Sequence, residues 1–73
     1  VLTLYNAMNM KWTDTQDLAY ALDETYPDID PRYVNFVDLK DWILALPKFS
    51  DRHNGSGEKI LEAIQMAWIE ARE

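Results

Sequence analysis

A chain of 73 residues, 48% hydrophobic, suits one small domain, and its lack of cysteine excludes disulfides, thiolate zinc sites, cysteine-ligated clusters and a thiol nucleophile. Seven basic against thirteen acidic residues give a net charge of −6, which makes nucleic acid and anionic membrane poor partners and a basic protein surface an attractive one. No apolar run approaches the roughly 20 residues of a membrane span.

Every charged residue lies between Lys11 and Glu73. The opening VLTLYNAMNM lacks the basic region and hydrophobic stretch of a secretory signal. Residues 1–9 read as an upstream extension or a remnant of cloning, with Met8 or Met10 as a natural start, ahead of a single domain over 10–73. Trp12 is placed to close the end of the core. Thr13 can cap a first helix, with Gln16 as its capping-box partner and Asp14 and Asp17 at the positive end. This helix is expected from Asp14 to about Tyr26, with Leu18, Ala21, Leu22 and Tyr26 on its inner face, and Pro27 ends it. Asp30 followed by Pro31 predicts a capped short turn over 31–34. A brief extended stretch at 35–37 follows, after which Asp38 caps a helix whose Leu39, Trp42, Ile43 and Leu46 share one face and which Pro47 closes. The segment PKFSDRHNGSG reads as a mobile surface loop with Phe49 as its apolar anchor. Ser56 can cap the last helix, over 57–71, whose inner face carries Ile60, Leu61, Ile64, Trp68 and Ala71. Met66 and Ile69 lie off that stripe and could form a contact patch. Trp42 and Trp68 are expected in the core. The pattern is all-α, compatible with a helix-turn-helix or winged-helix-like domain.

Four carboxylates, Asp23, Glu24, Asp28 and Asp30, crowd the end of the first helix. Acids there oppose the helix dipole at a cost of roughly 0.3–1 kcal/mol each. Two unit charges about 6 Å apart add a repulsion of about 0.7 kcal/mol in a water-like dielectric. Such crowding invites a cation, either a metal ion or a basic protein surface. The competing reading is that Asp28 and Asp30 cap turns while the other acids keep a small domain in solution.

Other chemistries fail on spacing. Ser50, Asp51 and His53 have the side-chain types of a hydrolase triad, but such a triad needs orientation on rigid elements, and His53 reads as a solvated loop residue. Asp28 and Asp30 match the first ligands of a calcium loop, yet Arg32, Tyr33 and Leu39 stand where further ligands and a glycine are required. A looser oxygen site would suit ferrous iron, manganese or magnesium, weakly and exchangeably. In a DNA-binding reading, Asp38 and Asp41, or Glu58, Glu62 and Glu70, would face phosphates without compensating bases.

The segments KWTD (11–14), YPDIDPRYVNF (26–36), VDLKDWI (37–43) and GEKILEAI (57–64), followed by Trp68, resemble the IscX family in one unbroken register over about 10–73. IscX proteins are small acidic proteins associated with bacterial iron-sulfur cluster assembly. The resemblance implies an all-helical, modified winged-helix-like fold without DNA binding. It also implies a cytoplasmic, monomeric, non-enzymatic adaptor that docks through its acidic surface on a basic patch of the cysteine desulfurase IscS. Such an adaptor modulates cluster synthesis and binds Fe2+ weakly, with no tightly bound cofactor. Asp14, Asp17, Glu24, Asp28, Asp30, Asp38, Glu58 and Glu62 stand at matching acidic positions. Partner binding is carried over to Asp17, Glu24, Asp28 and Asp30, with Glu58 and Glu62 beside them, and iron to Glu24, Asp28 and Asp30. Asp14 and Asp38 look equally like caps. The alternative is a ferrous-iron carrier for cluster assembly. The chain departs from the family pattern after the third helical segment, where Pro47, Lys48, Ser50 and Arg52 leave only Asp51 in place of an acidic run.

Overall fold

The computed structural model describes residues 9–73; Met8 and most of the proposed extension lie outside the described residues. Among the described residues three helices, α1 (Thr15–Thr25), α2 (Phe36–Leu44) and α3 (Glu58–Arg72), are joined by two short 3-10 turns at Pro31–Tyr33 and His53–Gly55. The fold is all-α. Among the described residues, extended pairing is confined to an isolated parallel bridge between Met10 and Phe49.

Helix α1 starts one residue later than expected, and Thr13 does not cap it. Asp14 holds the cap position but its carboxylate turns back to accept from the Lys11 amide at 2.8 Å, while its own amide donates to the Lys11 carbonyl at 2.9 Å. This closed turn fixes the entry to the helix. Leu18, Ala19 and Leu22 are buried, whereas Ala21, expected on the inner face, is only partly covered. The helix ends at Tyr26, whose amide donates to the Leu22 carbonyl at 2.8 Å, immediately before Pro27.

Helix α2 begins three residues before the expected start. Asn35 supplies the cap, accepting from the Asp38 amide at 2.8 Å, while its side-chain amide donates to the Asp38 carboxylate at 3.1 Å. Asp38 therefore belongs to the first turn, and the expected extended stretch shrinks to the approach at Val34 and Asn35. An asparagine three residues before an aspartate satisfies the free amides at the helix start as well as an aspartate cap would. In α3 the cap position falls on Gly57 and not Ser56, whose hydroxyl is buried without a hydrogen-bond partner among the described residues.

Helices α1 and α3 form the principal packing pair, and α2 closes the core. Trp12, Leu18, Leu22, Leu39, Ile43, Leu46, Leu61, Ile64 and Trp68 are buried, and among the described residues no polar or charged residue is. Trp42 lies at the core margin, half-buried. Its ring stands 5.1 Å from Tyr26 and 6.4 Å from Trp68, edge-on to the latter.

The segment after α2, expected to be mobile, is tied to residues 10–12. The Met10 amide donates to the Lys48 carbonyl at 2.7 Å, and the Ser50 amide returns to Met10 at 2.9 Å. The Asp51 carboxylate accepts from the backbone amides of Trp12 at 3.0 Å and Arg52 at 2.7 Å. The Trp12 indole donates to the Arg52 carbonyl at 2.6 Å and meets Phe49 edge-on, with ring centres 4.6 Å apart. Trp12 is thus the plug that was expected, with the loop wrapped over it. Gly55 completes the wrap, because a Cβ there would stand 2.5 Å from Trp12 Cδ1.

Gly55→Ala must push a buried indole that its own hydrogen bond holds in place. The expected loss is about 1–3 kcal/mol of stability, typical of overpacking. Urea unfolding measures it, and an unchanged midpoint would contradict the Trp12–Gly55 contact.

Candidate acidic docking face

The acids around the end of α1 divide into two sets. Asp23 and Asp30 are held by arginines of this chain. Asp23 Oδ1 accepts from Arg72 Nε at 2.6 Å, across 49 residues of sequence. The same guanidinium donates to the carbonyls of Ile29 at 2.8 Å and Tyr26 at 3.3 Å. Asp30 performs the capping role expected of it, accepting from the Arg32 amide at 3.0 Å, and also binds the Arg32 guanidinium in a fork at 3.1 and 2.8 Å. The repulsion inferred from the sequence is therefore answered in part from within. Glu24 and Asp28, by contrast, are exposed and hold no hydrogen bond or ion pair among the described residues.

Asp17 and Glu24 come together on one groove of about 610 Å³, which runs along α1 and is also lined by Asp14, Tyr20, Asp23 and Lys48. Asp14, Asp17, Ala21 and Glu24 follow one another at helical spacing, so the carboxylates form a row along the helix. Met10, Leu46 and Pro47 supply apolar lining. Tyr20, 55% exposed, offers an aromatic surface beside the acids. Among the lining residues described, four carboxylates stand against one lysine, so the groove carries a negative field.

Asp28 and Asp30 lie elsewhere, in a smaller depression of about 250 Å³ shared with Arg32, Ile69, Arg72 and Glu73. Glu58 and Glu62 are exposed on α3 and line neither feature. The residues expected to bind together therefore fall into three places. Among the described residues, no group of three or more histidine or carboxylate side chains converges as a metal ion requires. Ile69 is partly covered in the smaller depression, while Met66 is 52% exposed.

Arg72 and Asp51 are the functional-looking contacts that sequence reading missed. A basic residue in the last turn of α3 was a signal for Arg72, since it suits that helix end. Nothing local pointed to its partners. In the sequence Asp51 reads as the remaining acid of its loop and as one of the triad-type residues set aside, yet the amides of Trp12 and Arg52 hold its carboxyl below the usual carboxylate range.

Residues 10–73 match the family described as iron-sulphur cluster assembly. The chain is also similar to an uncharacterized protein of Pseudomonas aeruginosa, 61% identical over 66 residues that span 90% of this chain and 100% of that relative. No helix among the described residues is long and apolar enough to cross a membrane.

The Arg32 side chain, followed by the Arg32 amide, holds the Asp30 carboxyl down at about 2, from an ordinary value of 3.8. Because the folded-state value is depressed, the contribution of this cap to stability is complete above the ordinary value and is lost as pH falls through about 2. A carboxyl-detected NMR titration should place the Asp30 midpoint near 2. Arg32→Ala should return it toward 3.8, and a wild-type midpoint already at 3.8 would contradict the fork.

Proposed function

The chain belongs to the IscX family of iron-sulphur cluster assembly proteins, and on that premise we propose that it is a non-enzymatic cytoplasmic adaptor that docks by its acidic face on a cysteine desulfurase. One observation carries the proposal: Asp17 and Glu24 stand in a row along a groove of α1 with Asp14, none of them neutralised by an ion pair among the described residues. Unpaired carboxylates on a rigid helix form a surface already arranged for lysine and arginine, so little has to be ordered on binding. The partner in this reading performs the sulfur chemistry. The adaptor's contribution is to occupy a basic surface of the desulfurase and so modulate cluster assembly.

Ferrous iron takes second place. Glu24, Asp28 and Asp30 are the proposed ligands, but Asp30 already gives both oxygens to Arg32 and Glu24 lines a different depression from Asp28. Iron binding at exposed carboxylates would then be weak and exchangeable.

Docking of this kind weakens as salt rises, because exposed charges are screened over about 8 Å at physiological ionic strength. Replacing Asp17, Glu24 and Asp28 together by lysine should weaken binding to the desulfurase of the same organism at least ~10-fold, on the scale of a few rim charge pairs. Reversal of Glu58 and Glu62 should cost less. Calorimetry at low and high salt reads both. Unchanged affinity in the triple variant, or binding indifferent to salt, would overturn the docking face.

A further inference from the structure

We propose that Arg72 is a positioning residue for the docking face: its guanidinium holds the end of α1 and the Tyr26–Ile29 turn so that Glu24 and Asp28 are presented to the partner. This rests on the docking reading above and names a residue that serves it without touching the partner.

The three groups that Arg72 grips alternate with the two free carboxylates. Asp23 is gripped and Glu24 is free; Tyr26 is gripped, Asp28 is free, and Ile29 is gripped again. A clamp on the Asp23 side chain and on the Tyr26 and Ile29 carbonyls ties the chain down on both sides of each presented acid. The Tyr26 carbonyl also accepts from the Ile29 amide at 3.2 Å, so the turn closes on itself where the guanidinium seats. The contact is not a loose surface pair. The Arg72 and Asp23 side chains are 34% and 33% exposed, so both are mostly covered. The planar guanidinium bonds a carboxylate and two carbonyls at once from fixed directions, an arrangement that the compact ammonium of lysine reproduces poorly. Arg72 also ends α3, where a cation complements that helix's own dipole, so the two helix ends meet through one side chain.

Charge and position make opposite demands here, which gives the inference its test. Removing Arg72 takes the net charge from −6 to −7 and uncovers Asp23, so attraction to a basic partner alone requires tighter binding. Loss of position requires weaker binding, because the freed turn must be ordered when the complex forms. Affinities of wild type, Arg72→Ala and Arg72→Lys for the desulfurase are measured by calorimetry, with folding of each checked by circular dichroism and amide exchange followed at Ile29. Arg72→Ala should bind ~5- to 10-fold more weakly despite its greater negative charge, the scale of a lost preorganising contact. Arg72→Lys, at unchanged charge, should lie between ~2- and 3-fold below wild type. Exchange at Ile29 should rise in both.

Arg72→Ala binding as tightly as wild type or more tightly overturns the inference and leaves the docking face standing. Should Arg72→Ala fail to fold, Arg72→Lys decides: wild-type affinity with wild-type exchange at Ile29 overturns the inference, and weaker binding supports it. A wild-type chain that shows no salt-sensitive binding overturns the docking reading, and this inference with it.

Discussion

The packing of α1 against α3 is the constraint from which the rest of the molecule follows. A domain of this size buries only about 60% of its unfolded surface, so two helices must share nearly all the apolar area available. They do so through Leu18 and Leu22 on one side and Leu61, Ile64 and Trp68 on the other, with Leu39 and Ile43 of α2 closing the third side. No polar or charged residue among those described is spent in that core. The acids are consequently free to lie on the surface, and the pairing of α1 with α3 decides which of them meet a cation. It carries Arg72 to the end of α1 and leaves the outward side of the helix, with Asp17 and Glu24, to the groove.

The crowding of carboxylates at the end of α1 has two physical outcomes where the charge count alone suggests one. Asp23 and Asp30 are structural: Asp23 accepts from the Arg72 guanidinium, which also donates to the Ile29 carbonyl, and Asp30 accepts from both the guanidinium and the backbone amide of Arg32. Glu24 and Asp28 are surplus to the fold. An acid placed against a helix dipole with no partner costs stability, roughly 0.3–1 kcal/mol. Fold stability therefore does not explain these two positions, which leaves them available to the cationic surface of the proposed docking. Asp30 fills the cap expected of it, and both of the oxygens that the metal reading would use are engaged by Arg32.

Local signals were legible in the chain and long-range ones were not. Pro27, the Asp30–Pro31 pair and the Leu61, Ile64, Trp68 stripe located the ends and inner faces of helices because each acts through neighbouring residues. Asn35 caps where the sequence suggests Asp38, since both residue types cap well and only the backbone direction separates them. The segment 47–57 has the composition of a free loop, and its Gly, Ser and Asn content said nothing of Trp12, about forty positions away, on which it closes. Arg72 and Asp23 are separated by 49 residues, so no periodicity could pair them. Of the candidate site, the acids were readable as charges. Their division into paired and unpaired groups depends on which helix ends meet.

The same division bears on how so small a domain can act at all. Its core is thin, and the larger depression is an open groove between α1 and the residues Asn9, Met10 and Leu46 to Lys48. In the proposed docking role function is carried by a surface, and charged surfaces bind tightly only when the charges are held still, because ordering long side chains and mobile turns on binding consumes the attraction they provide. In this chain the rigidity comes from two sources. The row at Asp14, Asp17 and Glu24 inherits it from a helix whose opposite side is buried. Asp28 sits beyond the helix in a turn that would otherwise be free to move, and there the clamp from α3 substitutes for helical structure. A positive residue set among acids is thus compatible with an acidic docking face: what it subtracts in charge it returns in order.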